Sequence, residues 1–172
     1  MGIERKREAR MSESNLESIL ELRHAGQNTE AQRLLLELCA TNPNDARVQY
    51  ETACVHDVLG QEAQAVAYYV KAIDLGLPRD LLREAYLGLG STYRALGQYE
   101  QAKEILEQAT QISPDANELK VFHAMTLYNL GLSKQAVATL LGVLTKTTQD
   151  THVAQYAKAI DEYAQDLDKK WL

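Results

Sequence analysis

Two residue types in this chain keep the same irregular beat. Gly26, Gly60, Gly97 and Gly131 are spaced 34, 37 and 34 residues apart, and Ala31, Ala65, Ala102 and Ala136 repeat those intervals. Pro43, Pro78 and Pro114 follow, with a one-residue slip at Pro78. Independent positions that share one irregularity mark an internal repeat. A period of this size belongs to chains that stack small structural units. The spacing divides the sequence into four units, 12–45, 46–79, 83–116 and 117–150, with three residues inserted at 80–82. Residues 1–11 read as a charged N-terminal extension, either a flexible, frayed tail or a helical continuation. Residues 151–172 read as one closing helix.

Each unit carries two amphipathic helical segments and no alternating strand pattern. The third unit is the clearest. Its first helix is expected near 80–96, with Ala85, Leu89, Thr92, Tyr93 and Leu96 inward. Gly97 ends it by taking a left-handed turn. The second is expected near 99–112, with Ala102, Ile105, Leu106, Ala109 and Ile112 inward, until Ser113-Pro114-Asp115 breaks it. Ser14, Asn44, Asp80, Asp115 and Asp150 are the expected N-caps. Gly90 and Ala102 are small enough for close helix approach, and Tyr86, Tyr93 and Leu106 fill the volume between neighbours. One such pair cannot bury both of its apolar faces, so several must stack.

The run Tyr86-x-x-Leu89-Gly90-x-x-Tyr93, then Ala102-x-x-x-Leu106, Ala109 and Pro114, resembles the tetratricopeptide repeat. Tyr86 stands for the family's tryptophan and Leu106 for its phenylalanine. The other units depart from the pattern in their first helix, where Ser18-Ile19, Thr52-Ala53 and His123-Ala124 replace the Leu-Gly pair. The resemblance spans 12–150. It implies an all-α fold, a right-handed α-solenoid of four helix pairs with a C-terminal capping helix. It also implies a protein similar to small stand-alone bacterial members of the family, acting as a non-enzymatic scaffold for another protein or peptide.

Composition narrows the function classes. The 172 residues carry a formal charge of −6, which argues against a nucleic-acid footprint. The first ten residues are net positive, and Lys6 stands where a myristoylation signal wants Ser or Thr. No apolar core follows that basic start and no apolar run is long enough to span a bilayer, so neither a secretory signal nor a membrane partner is expected. Cys39 and Cys54 are too few for a disulfide framework, and a cytoplasmic setting is expected.

No catalytic, cofactor or metal signature emerges. Gly88-Leu89-Gly90 is repeat pattern rather than a phosphate loop, because it lies mid-helix and Tyr93 replaces the third glycine. His24, His56, His123 and His152 lack ligand spacing. Cys39 and Cys54 lack an activating base. The acidic residues scatter over outer helix faces.

In the resembled family the first helix of each pair lines a concave groove where partners dock. Mapped by repeat column, the groove here comprises Tyr50, Glu51, Asp57, Leu87, Ser91, Arg94, Val121, Phe122, Met125, Tyr128 and Asn129. Leu16, Leu20 and Glu51 occupy columns where chaperone-binding members hold a carboxylate, and Gly88 leaves another such place empty. A carboxylate clamp is therefore not expected. Phe122, Met125 and Tyr128 make an apolar, aromatic end, with Asn129 available for backbone hydrogen bonds.

The closing helix carries Val153, Tyr156, Ile160, Tyr163, Leu167 and Trp171 as one apolar stripe. It is expected to cap the last pair, and two readings stay open: it covers part of the aromatic patch, or it pairs with a second copy. The alternatives to a scaffold are accordingly a homo-oligomeric structural subunit, with a homodimer through this helix, or a small-peptide sensor.

Overall fold

The computed structural model describes the backbone of residues 2–170 and the side chains of residues 13–170. These residues form ten α-helices and, among them, no strand. In chain order they are α1 (Gly2–His24), α2 (Asn28–Thr41), α3 (Ala46–Val58), α4 (Glu62–Leu75) and α5 (Arg79–Ala95). Then follow α6 (Tyr99–Ile112), α7 (Asn117–Asn129), α8 (Ser133–Thr147), α9 (Thr151–Ala154) and α10 (Ala157–Gln165). The chain divides into two compact units, 1–92 and 93–172, with the division inside α5.

The turn between the two helices of each repeat has one construction. Gly26, Gly60, Gly97 and Gly131 take φ of +77°, +70°, +73° and +77°. The residue after each glycine is Gln27, Gln61, Gln98 or Leu132. Its N–H donates at 2.9 Å to the carbonyl of Leu22, His56, Tyr93 or Leu127 respectively, the six-to-one bond of a Schellman motif. The carbonyl of that same residue accepts from the N–H of Ala31, Ala65, Ala102 or Ala136 at 3.0 to 3.1 Å. One residue therefore closes the first helix and opens the second. The alanine that receives this bond is buried in every unit.

In the first compact unit α1 packs on α2, α2 on α3 and α3 on α4. Leu16, Ile19, Leu35, Leu38, Val48 and Val55 form a core there with Ala31 and Cys39. Each fully buried leucine in such a core contributes roughly 1.5–3 kcal/mol. In the second unit α6 packs on α7 and α7 on α8, around Leu106, Leu119, Ala124 and Leu127.

Several local expectations shift. Asp45, not Asn44, caps α3, accepting from the amides of Arg47 and Val48 at 3.0 and 3.1 Å. Asp150 caps α9 as expected, at 2.8 and 3.2 Å. Ala116 rather than Asp115 precedes α7, Ser14 lies inside α1 and Asp80 inside the first turn of α5. Leu96 and Ile112 are exposed, because Leu96 falls beyond the end of α5 and Ile112 is the last residue of α6. The helix α1 already begins at Gly2, ahead of the first repeat unit.

The closing segment is not one helix. It breaks at Gln155–Tyr156, where the Tyr156 amide donates to the Val153 carbonyl at 3.0 Å, three residues back. That tighter turn shifts the phase of the apolar stripe. No side chain of α9 or α10 is buried, and Tyr156 is 64% exposed. The described part of the stripe ends at Leu167, which is exposed, and Trp171 lies outside the described residues. The segment still docks, through packing of α10 on α8. No helix among the described residues is long and apolar enough to cross a membrane.

The turn geometry gives two substitutions of opposite sign. Gly97→Ala is expected to destabilise the protein by roughly 1–2 kcal/mol, since φ is +73° there. Gly142→Ala, inside α8 with nothing within 4 Å of the added methyl, is expected to stabilise by roughly 0.5–1 kcal/mol. Urea denaturation measures both. Equal effects would refute the positional argument.

Candidate functional site

The residues expected to line a groove fall into two sets with different character. The polar ones in the first compact unit are bonded to other groups of that unit. Tyr50 and Glu51, on α3, are buried rather than displayed. The Tyr50 hydroxyl donates to a Glu84 carboxylate oxygen at 2.7 Å, and its ring leans on Tyr69 at 6.3 Å between centroids. Burial pushes the Tyr50 phenol well above its ordinary range. Glu51 is ion-paired with Arg23. Burial raises the Glu51 carboxyl, and the Arg23 charge opposes that shift. Leu16, expected at the same face, belongs instead to the core.

Asp57 is half-buried, with Thr92 Oγ1 at 2.9 Å from each of its carboxylate oxygens. Burial raises its pKa, and hydrogen bonds from Tyr69 and Thr92 oppose the shift. Ser91 is half-buried and turns its hydroxyl back to the Gly88 carbonyl at 2.9 Å, while Leu87 is half-buried.

The column reading missed Tyr69, which comes from the second helix α4. Its hydroxyl lies 3.6 Å from Cys54 Sγ, and the ring is buried. The place that Gly88 was expected to leave empty is taken by this ring. A Cβ on Gly88 would stand 2.5 Å from both the Cζ and the hydroxyl oxygen of Tyr69. The available signal was Gly88 itself, a mid-helix glycine in a column otherwise holding Glu17, Glu51 and Phe122. A missing side chain in a packed array implies that something else fills its space.

The second unit presents an open surface. Along α7, Val121 and Phe122 are half-buried, while Met125 is 37% exposed and Tyr128 68% exposed. These values hold with α9 and α10 in place, so the closing segment leaves Met125 and Tyr128 accessible. Arg94 Nε donates to Asn129 Oδ1 at 2.7 Å, which occupies the Asn129 carbonyl and leaves its amide group to donate. His123, on α7, is half-buried with Nε2 3.6 Å from a Glu107 carboxylate oxygen. Burial lowers its pKa, with Glu107 opposing.

Two further buried groups belong to the first unit. The Cys39 thiol lies 3.1 Å from Thr52 Oγ1, and burial raises its pKa. Gln49 is 2% exposed, and its Oε1 has no hydrogen-bond partner. A buried acceptor left in that state costs about 1–3 kcal/mol. Among the described residues no group of three or more His, Cys, Asp or Glu side chains is arranged to hold a metal ion.

Helix pairs joined by a repeated glycine turn define a helical-repeat protein. The family model described as tetratrico peptide repeat matches residues 46–167, and the chain belongs to that family. The fold is shared with YrrB, described as a tetratricopeptide repeat protein with an unusual peptide-binding site. Identity to YrrB is 18% and the TM-score 0.68, over 90% of this chain and 78% of that one. MamA is similar at 17% identity and a TM-score of 0.71, over 97% and 82% of the two chains. The human protein O-mannosyl-transferase TMTC1 is 25% identical over 111 residues, or 64% of this chain. The chain spans only 12% of the length of that transferase.

Gly88→Ala is expected to destabilise the protein, because the overpacking cost of about 1–3 kcal/mol outweighs a helix-propensity gain of about 1 kcal/mol. In a Tyr69→Leu background the same substitution is expected to become stabilising. A double-mutant cycle by urea denaturation reads the change of sign, and additive effects would refute the Tyr69–Gly88 contact.

Proposed function

We propose that the chain is a protein-interaction scaffold whose α7 face receives an apolar peptide or helix from a partner protein. Tetratricopeptide repeat proteins are commonly interaction scaffolds. The observation that carries the placement is the exposure of Tyr128, at 68%, beside Met125 and Phe122 on one helix. Aromatic and methionine side chains dominate interface cores, and a large ring held in water gains most from being covered. The Asn129 amide group beside them can donate to a partner's backbone carbonyl. The peptide-binding site described for YrrB gives the reading a precedent on the same fold. An overall charge of −6 favours a protein partner over nucleic acid, and two free thiols fit a cytoplasmic setting.

Tyr50 is no part of this surface, since it is buried and bonded to Glu84. The informative variant is therefore Met125→Ser/Tyr128→Ala, at two exposed positions, tested by panning a displayed peptide library against it and the wild type. Enriched peptides are expected to bind the wild type at least tenfold more tightly than the variant, with the melting temperature little changed. Equal binding by both would place the interface elsewhere.

A second reading has its own observation. Val137, Leu140 and Leu144 follow one face of α8 and stay exposed although α10 packs on that helix. This supports self-association through the C-terminal end. Multi-angle light scattering over a dilution series is expected to show a dimer that Leu140→Asp dissociates. A monomer at every concentration would remove this reading.

A further inference from the structure

The repeat frame shows what a following repeat covers. The column of Arg23, Asp57, Arg94 and Tyr128 lies at the end of each first helix. Its first three members each bond to the first helix of the next repeat. Arg23 pairs with Glu51, Asp57 accepts from Thr92 Oγ1 at 2.9 Å, and Arg94 donates to Asn129 at 2.7 Å. The column of Leu35, Tyr69, Leu106 and Leu140 lies on the second helices. Leu35 shares a core with Val48 and Val55 of α3, and Tyr69 fills the space at Gly88 of α5. Leu106 is buried, and its helix α6 packs on α7. Cys39, one turn beyond Leu35, reaches Thr52 of α3 in the same way.

In the fourth repeat the same columns stay open. Tyr128 is 68% exposed, and Leu140 and Leu144 are each 41% exposed. The closing segment sits on another side of α8. Its Asp161 accepts from Thr145, whose column contains Ala40, Asp74 and Gln111, all exposed in their own repeats. The first repeat is finished differently. Val48, Thr52 and Val55, which turn to the preceding repeat, are buried. Their counterparts one repeat earlier are Ser14, Ser18 and Glu21, and these are exposed. The first repeat thus shows water a polar face and the fourth an apolar one.

We propose that this open end of the fourth repeat binds an amphipathic helix of a partner protein, seated as the first helix of a fifth repeat would be. The interface continues a contact that the chain makes three times within itself. The covering helices α3, α5 and α7 have 13, 17 and 13 residues, which sets the length. Their buried columns set the pattern, small or apolar residues at i, i+4 and i+7, as in other helix-in-groove contacts. A second copy cannot supply this helix through α1, whose three positions are Ser14, Ser18 and Glu21. Pairing α8 with its own copy would set leucine rows against each other, whereas Tyr69, in the column of Leu140, meets a glycine. The inference rests on the scaffold reading for a protein partner, and it moves the seat from α7 alone to the end formed by α7 and α8.

The test titrates the isotope-labelled full chain with a peptide of residues 46–58, the α3 sequence that covers Leu35. A staple away from Val48, Thr52 and Val55 holds the peptide helical, since so short a helix is marginal in water. Amide shifts are expected at Tyr128, Leu140 and Leu144. A Val48→Ser/Val55→Glu peptide, which reproduces the polar pattern of α1, is expected to bind at least about tenfold more weakly. Leu140→Asp and Leu144→Asp in the chain, both at exposed positions, are expected to weaken binding to the same degree with helicity unchanged. Light scattering on the free chain reads the competing occupant. Absent binding, equal binding of the two peptides, or a dimer that the α3 peptide fails to dissociate would overturn the proposal. Shifts confined to Phe122 and Met125 would overturn it as well, while leaving the scaffold reading intact.

Discussion

One backbone residue in each repeat belongs to two helices. Gln27, Gln61, Gln98 and Leu132 each donate to the helix behind and accept from the helix ahead. Both bonds are well formed, at 2.9 to 3.1 Å, and in each turn the preceding glycine has the left-handed φ that permits them. The angular phase of the second helix relative to the first is therefore set by the turn. That phase puts the first four-residue backbone hydrogen bond of the second helix on an alanine. A larger residue there would force the helices apart, so the glycine and alanine columns are one constraint seen at two positions. The rest of each pair, from the buried leucines to the face left outward, depends on that phase.

The same construction serves opposite ends in the two compact units. In the first, inner-column residues with polar groups turn to partners within the unit: Tyr50 to Glu84, Glu51 to Arg23, Asp57 to Thr92. Desolvated polar groups stabilise a unique arrangement only when they are paired, and these are. They leave little for a partner to bond. In the second unit the corresponding columns hold Phe122, half-buried, and Met125 and Tyr128, which stay exposed. An uncovered aromatic face gains from association as a satisfied polar one does not.

Much of this was legible in the sequence because the repeat is a period, and periods survive local degeneracy. The helices, the glycine turns and the buried alanine column follow from spacing alone. What resisted reading was whatever depends on a neighbour in space. Tyr50 stands in a groove column, yet a glutamate 34 residues away draws its hydroxyl inward. Gly88 looked like a gap until Tyr69, from another helix, took the space. Asp45 and Asn44 are both good caps, and the choice between them rests on one residue of register. The closing stripe assumed unbroken helical phase through Gln155, where the backbone tightens instead.

Native-state hydrogen exchange at the shared turn residues tests this account most directly. If the turn fixes the helix pair, the amides of Gln27, Gln61, Gln98 and Leu132 should be protected like those of the helix interiors. They should open only with the cooperative unfolding of their own repeat, with the same denaturant dependence as Leu35 or Leu106. Exchange at loop-like rates, insensitive to denaturant, would show that the helix pairs are held by their side chains and that the turn merely follows.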